Sequence, residues 1–147
     1  MSSDLENLYQ QIILDHAKRP KGYGLAAVAS GESHQVNPTC GDEITLQLVV
    51  GDGGVVEAVH WEGHGCAISQ ASASLFTDVA AGLTTGELTD RIDSFREVMR
   101  SRGTIEPDEE LFGDAVVLGG VSKYMARVKC AMLAWVAAEH ALAQAAA

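Results

Sequence analysis

The sequence has few cysteines and few basic residues, which argues against a disulfide-rich protein and against a protein that binds nucleic acids or membranes. Three cysteines among 147 residues, far apart in the chain, do not form the dense, even-numbered pattern of a disulfide framework. Ten Lys and Arg stand against 20 Asp and Glu, for a formal charge of −10. Because phosphate backbones and anionic membrane surfaces are bound mainly by Lys and Arg, we expect neither nucleic acid nor membrane as a partner.

Long apolar segments are also missing. No run approaches the roughly 20 apolar residues that a membrane-spanning helix needs, and the most apolar stretch is interrupted by Lys129, Glu139 and His140. The first ten residues, MSSDLENLYQ, have neither the basic nor the apolar region of a secretory signal. The sequence therefore predicts a cytoplasmic protein, in which reduced cysteines serve metal binding or thiol chemistry.

The order of the predicted helices and strands indicates the fold class. Periodicity predicts a helix at 4–19, strands near 31–36, at 43–50 and at 55–61, and helices at 67–82, at 84–103 and from about residue 122. Thr84 and Glu87 match a capping box. Strands followed by helices predict one α+β domain over residues 1–147, with a small antiparallel sheet of about three strands packed against several helices.

Two of the cysteines have settings that suit a metal ligand, although each could equally be an inert core thiol. Cys40 precedes Gly41 and Asp42 in a loop, where a tight turn would bring a thiolate and a carboxylate together. Asp42 has the alternative role of a turn residue that bonds its own backbone. Cys66 follows a Gly-His-Gly stretch and opens a helix, whose N-terminus stabilises a thiolate.

The third cysteine is on the final helix, outside the predicted apolar stripe of Val128, Met132 and Trp135. At about 100° per residue, Cys130 is on the opposite side, near Arg127. This guanidinium could offset the charge of three thiolates and a carboxylate around Zn²⁺, or it could be an ordinary surface charge. Because no C-x₂-C pair is present, the residues alone leave a Cys₃Asp zinc site open beside simple burial.

The histidines are the alternative ligands. His64 is the strongest rival, because it lies two residues before Cys66. The other four, His16, His34, His60 and His140, fall on or near predicted helices and strands. For these we expect surface or interface roles.

Four blocks of the sequence resemble the NifU-like/IscU-like iron–sulfur assembly family. The blocks are LYQQIILDHAKRPKGYG, NPTCGDEITL, GHGCAISQASAS and GVSKYMARVKCAMLAW, and in the family's order they cover nearly the whole chain. The chain looks most like the SufU branch, because Lys129 stands where scaffold members carry a histidine and the segment between Cys66 and Cys130 is long. Met125 departs from the proline common at that position in the branch.

The resemblance implies a zinc ion held by Cys40, Asp42, Cys66 and Cys130. Cys40 and Arg127 would be the catalytic residues: Cys40 would accept persulfide sulfur from the PLP-dependent cysteine desulfurase of the SUF system, with Arg127 close to the metal. Downstream SUF scaffold proteins are further candidate partners. The chain would then be a zinc-dependent sulfurtransferase that works with that enzyme and not as a stand-alone catalyst. The alternatives are a scaffold that holds an iron–sulfur cluster and a regulatory subunit of the desulfurase with a structural zinc.

Overall fold

Three strands form a sheet on which the helices pack. The structure is a computed structural model that describes residues 2–146, with side chains described over residues 5–145. In chain order the elements are α1 (Ser2–Lys18), β1 (Gly31–Asn37), β2 (Asp42–Val50), β3 (Val56–His64), α2 (Ala67–Ala80), α3 (Thr85–Arg100), α4 (Glu109–Phe112) and α5 (Met125–Ala146). Two 3₁₀ segments cover Asp52–Gly54 and Gly113–Lys123. The predicted α+β class with a three-stranded antiparallel sheet is confirmed.

The sheet has the order β1-β2-β3, and both pairings are antiparallel. Alternation along β2 places Ile44, Leu46 and Leu48 on the buried face, as the sequence pattern predicts. On the same face, Asn37 at the end of β1 pairs with Asp42 at the start of β2. The sheet therefore brings the two ends of the NPTCGD segment side by side.

Helix α5 is the central helix of the helical layer and packs against β1, β2, α2 and α3. Trp135 of α5 is fully buried and stacks on Phe95 of α3 with ring centroids 3.9 Å apart. Its indole N–H donates to Ser72 Oγ of α2 at 2.9 Å, and Ser72 Oγ donates to the Ala131 carbonyl at 2.6 Å. These buried bonds fix α2 and α5 relative to each other. Cys66 immediately precedes α2, and Cys130 lies within α5.

The start of the last helix and its apolar stripe differ from prediction. Helix α5 begins at Met125 because residues 113–123 form a 3₁₀ run and Tyr124 is extended. The predicted position of Cys130 outside the buried side is wrong, since Cys130 is 1 % exposed while Val128 and Met132 are only half-buried. Because the sheet and two helices cover α5 from several directions, no single stripe marks its core side.

The capping box at the start of α3 is confirmed. Thr84 Oγ1 accepts from the Glu87 N–H at 3.1 Å, and Glu87 Oε1 accepts from the Thr84 N–H at 3.0 Å. Over the residues searched, none of the helices combines the length and the apolar character that crossing a membrane requires.

Candidate metal centre

Two cysteines and one aspartate converge at one end of the sheet. The sulfurs of Cys40 and Cys130 and a carboxylate oxygen of Asp42 all lie within 4.8 Å of one another. The Cys130 thiol is 3.3 Å from the Cys40 sulfur and donates to it. Cys40 and Cys130, 90 positions apart in the chain, are in contact because the β1–β2 turn packs against the first turns of α5.

Cys40 is the accessible thiol of this cluster. Its backbone N–H donates to the Asn37 carbonyl at 3.3 Å, which closes a turn over residues 37–40. The next residue, Gly41, has a φ of 71°, a left-handed conformation that only glycine adopts at little cost. The turn leaves Cys40 exposed, with its sulfur 3.9 Å from the Ala126 carbonyl of α5. Cys40 is therefore the one member of the cluster that an incoming molecule can reach directly.

Asp42 is fully buried, and its carboxylate has one satisfied and one unsatisfied oxygen. Oδ1 accepts from the Cys66 backbone N–H at 2.9 Å, whereas Oδ2 has no hydrogen-bond partner within the described part of the chain. An unpartnered buried carboxylate oxygen costs about 1–3 kcal/mol or more. A cation beside Oδ2 would remove this cost, and two sulfurs with a carboxylate oxygen are a donor set that suits zinc.

Glycine before Cys66 makes the approach to Asp42 possible. Gly65 has a φ of 156°, and a Cβ at this position would collide with Asp42 Oδ1 and lie 2.7 Å from Ser69 Oγ. The backbone can therefore bring the Cys66 N–H onto the carboxylate only if residue 65 has no side chain.

The buried thiol of Cys130 is held in its protonated form in the absence of a cation. Burial raises the pKa of Cys130 well above its ordinary value, and the neighbouring Asp42 carboxylate and the thiols of Cys40 and Cys66 raise that pKa further. A bound cation has the opposite effect, because it favours the thiolate and displaces the proton. Metal binding at this position would therefore release protons.

Cys66 is close to the cluster but is not one of its three converging residues. It is the N-cap residue of α2 and is half-buried. Its N–H contacts Asp42, and its thiol is near enough to Cys130 to act on that group's pKa. Cys66 as a fourth ligand remains a prediction.

Arg127 and His64 both lie outside the cluster. Arg127 is exposed in the first turn of α5, and of the carboxylates in residues 5–145 none pairs with its guanidinium. The exposed His64 ring contacts Glu43 Oε1 at 3.2 Å, and His34 contacts the other oxygen of the same carboxylate at 2.6 Å. The catalytic role predicted for Arg127 remains untested by this geometry.

One polar residue of the centre, Asn37, was not singled out from the sequence. Its side chain is 6 % exposed, and its Nδ2 has no partner among the described residues. The signal available in the sequence was its place at the start of the tight NPTCG turn. The strand pairing that sets Asn37 opposite Asp42 becomes visible only in three dimensions.

The chain is similar over most of its length to proteins of known families. The model of the NifU-like N terminal domain family matches residues 8–131. The chain is 39 % identical to the zinc-dependent sulfurtransferase SufU of Bacillus subtilis, covering 97 % of this chain and 95 % of that protein. It is 38 % identical to the iron–sulfur cluster assembly scaffold protein IscU of Streptococcus pyogenes, covering 95 % and 86 %.

A solved structure has the same fold. It is the crystal structure of FiSufU from Fervidobacterium islandicum, named as an iron–sulfur cluster assembly scaffold protein for the SUF system. The TM-score is 0.81 at 35 % identity, over 90 % of this chain and 94 % of that one.

Proposed function

The chain belongs to the NifU-like N-terminal domain family, and on that basis we propose that it carries sulfur in iron–sulfur cluster assembly. Cys40 accepts the sulfur, and a PLP-dependent cysteine desulfurase of the SUF system supplies it. One observation carries the proposal: the exposed Cys40 thiol adjoins a buried thiol and a buried carboxylate that has an unpaired oxygen. This combination offers a reachable sulfur beside a place for a cation.

The cation in this proposal is zinc, held by Cys40, Asp42, Cys66 and Cys130. The unpaired Asp42 oxygen and the two converging sulfurs support three of these ligands, and the position of Cys66 beside Asp42 and Cys130 supports the fourth. Zinc is redox-inert and, when bound, keeps coordinated sulfurs deprotonated at neutral pH. The Bacillus subtilis relative is named as zinc-dependent, in agreement with this choice.

The transfer step is a thiol exchange. The Cys40 thiolate attacks the outer sulfur of a persulfide on the desulfurase. A bond forms between Cys40 Sγ and that sulfur, the sulfur–sulfur bond of the donor persulfide breaks, and the donor cysteine leaves as a thiolate. No electrons are gained or lost overall, so the step requires no oxidant or reductant.

Cys40 suits the acceptor role better than the other two cysteines. It lies on an exposed turn, whereas Cys66 caps α2 and Cys130 is buried within α5. Arg127 follows Ala126, whose carbonyl is close to the Cys40 sulfur, and its side chain is exposed, which supports a role for this residue at the entrance to the site. We assign to Arg127 the neutralisation of the incoming anionic sulfur.

A second candidate function is that of a scaffold on which a cluster is assembled. Cysteine thiolates bind such clusters, and the identity to a relative named as a scaffold, 38 %, is nearly equal to the identity to the named sulfurtransferase, 39 %. Lys129 favours sulfur transfer, because it offers no imidazole at the position before Cys130 and its side chain is exposed on α5.

Metal and labile-sulfide analysis of protein purified without oxygen separates the two functions. The sulfur-carrier function predicts one zinc per chain with neither iron nor sulfide. Iron and sulfide in near-equal amounts, lost together on chelation, would instead establish the scaffold. The Cys40→Ala variant should keep its fold, since it removes only an exposed thiol.

A further inference from the structure

The buried amide of Asn37 has no acceptor for its N–H groups. Asn37 Nδ2 and Asp42 Oδ2 are the two fully buried side-chain polar atoms without a partner in the described part of the chain. Native proteins rarely leave a buried donor unpaired unless a group that is absent completes it. A cation at the proposed centre would pair with the Asp42 oxygen, but it cannot accept from the Asn37 amide, which is itself a donor.

Strand pairing and the β1–β2 turn both place Asn37 beside the cysteine cluster. Directly opposite residues of an antiparallel pair share one face, with Cβ atoms about 4.5–5.5 Å apart, and the partner of Asn37 is Asp42, a member of the cluster. The Asn37 carbonyl accepts from the Cys40 N–H at 3.3 Å. Asn37 and Cys40 therefore belong to the same hydrogen-bonded turn.

The sulfurs of the cluster are strong hydrogen-bond acceptors only when they are thiolates. A neutral thiol is a weak acceptor, whereas a charged acceptor makes a shorter and stronger hydrogen bond to an N–H donor. Three thiolates and a carboxylate carry a charge of −4, so a divalent cation leaves −2 at the centre. Donors aimed at metal-bound sulfur offset such excess charge and fix the ligand's orientation.

We propose that Asn37 is a positioning residue whose Nδ2 donates a hydrogen bond to the Cys40 sulfur when that sulfur is a metal-bound thiolate. The inference rests on the proposed metal site. The bond holds the exposed ligand in place and withdraws electron density from it. Loss of the bond therefore weakens metal binding and leaves the Cys40 sulfur more reactive toward alkylating agents.

Cadmium-113 NMR tests the bond directly. The ¹⁵N-labelled protein is loaded with ¹¹³Cd²⁺, and scalar coupling is sought between the metal and the Asn37 side-chain amide protons. The predicted result is a resolved coupling at the Asn37 amide and none at the Gln35 amide, which lies on the same face of β1 but donates to Ser33 Oγ at 2.9 Å.

Substitution provides the second measurement. Asn37→Ala should lower zinc affinity by about 10-fold to 100-fold in competition with a chelator, the range found when outer partners of metal ligands are removed. It should also speed alkylation of Cys40 by iodoacetamide in the zinc-loaded protein. Gln35→Ala, the matched control, should change neither quantity.

Stability without metal distinguishes positioning from a structural role. Asn37→Ala deletes an unpaired buried donor, so the metal-free variant should be at least as stable to urea as the parent. Bound cadmium with no coupling at Asn37, together with unchanged zinc affinity in Asn37→Ala, would overturn the inference while leaving the metal site intact. Failure of the parent protein to bind cadmium or zinc would instead refute the proposed site, and the inference with it.

Discussion

Replacement of Gly65 by alanine should damage the metal centre, because the closest contact of the new Cβ would be with the Asp42 carboxylate. The φ of 156° at Gly65 is a conformation that L-residues rarely adopt, which costs about 1–3 kcal/mol. The added Cβ would also collide with Asp42 Oδ1, and overpacking of this kind costs about 1–3 kcal/mol more. We expect Gly65→Ala to lower the free energy of unfolding by about 2–6 kcal/mol as the sum of these two costs.

Urea denaturation of the metal-free protein measures this loss, and two variants isolate its cause. Gly53→Ala is the matched control, because Gly53 has a φ of 80° but nothing lies within 4 Å of the added Cβ. Its cost should be that of the backbone alone, about 1–2 kcal/mol. In the double variant with Asp42→Ala the collision with the carboxylate is removed and only the 2.7 Å approach to Ser69 Oγ remains, so the two substitutions should be strongly non-additive. Additive costs, or equal costs at residues 65 and 53, would refute the assigned contact.

Two further predictions concern the contacts of helix α2 with α5 and with α1. Ser72→Ala should lower the free energy of unfolding by about 1–3 kcal/mol, because it leaves the buried Trp135 N–H without an acceptor. Urea denaturation checks this value, with Ser69→Ala as the comparison variant. Acid should weaken the contact between α1 and α2, where His16 Nδ1 lies 2.7 Å from Ser74 Oγ. Burial, followed by the Lys21 charge, lowers the pKa of His16 from its ordinary 6.5, against opposing effects of Asp78, Asp114 and Asp15. The unfolded chain therefore binds this proton first, so the contribution of His16 is complete above pH 6.5 and is lost as the pH falls through the lowered pKa. Unfolding free energies measured across this range should show a smaller loss in His16→Gln, and an unchanged profile would contradict the assignment.

The sheet and the cap of α3 could be predicted because local physics determines them. Alternation in β2 reflects one buried and one open face of the sheet, and the Thr84–Glu87 box needs only residues three positions apart. The convergence of Cys40 and Asp42 was likewise accessible, because a single glycine separates them in the chain.

Contacts between distant segments could not be derived from local patterns. Helical periodicity assigned Cys130 to the wrong side of α5, since several elements cover that helix and its alanines allow close packing on any side. The place of Asn37 beside the cluster could not be predicted, because it depends on the β1–β2 register and on the unpaired Nδ2 atom. Only the resemblance to a known family implied that Cys130 is a metal ligand. The sulfur of Cys130 lies beside the sulfur of Cys40, which supports that role.

The location of transferred sulfur tests the central claim most directly. The zinc-loaded protein is incubated with the cysteine desulfurase and cysteine, and intact and peptide mass spectrometry then locates any added sulfur. We predict one extra sulfur atom on Cys40 and none on the Cys40→Ala variant, while Cys66 and Cys130 remain unmodified. Sulfur acceptance that persists in Cys40→Ala, or a parent protein that gains no sulfur beside an active desulfurase, would contradict the account.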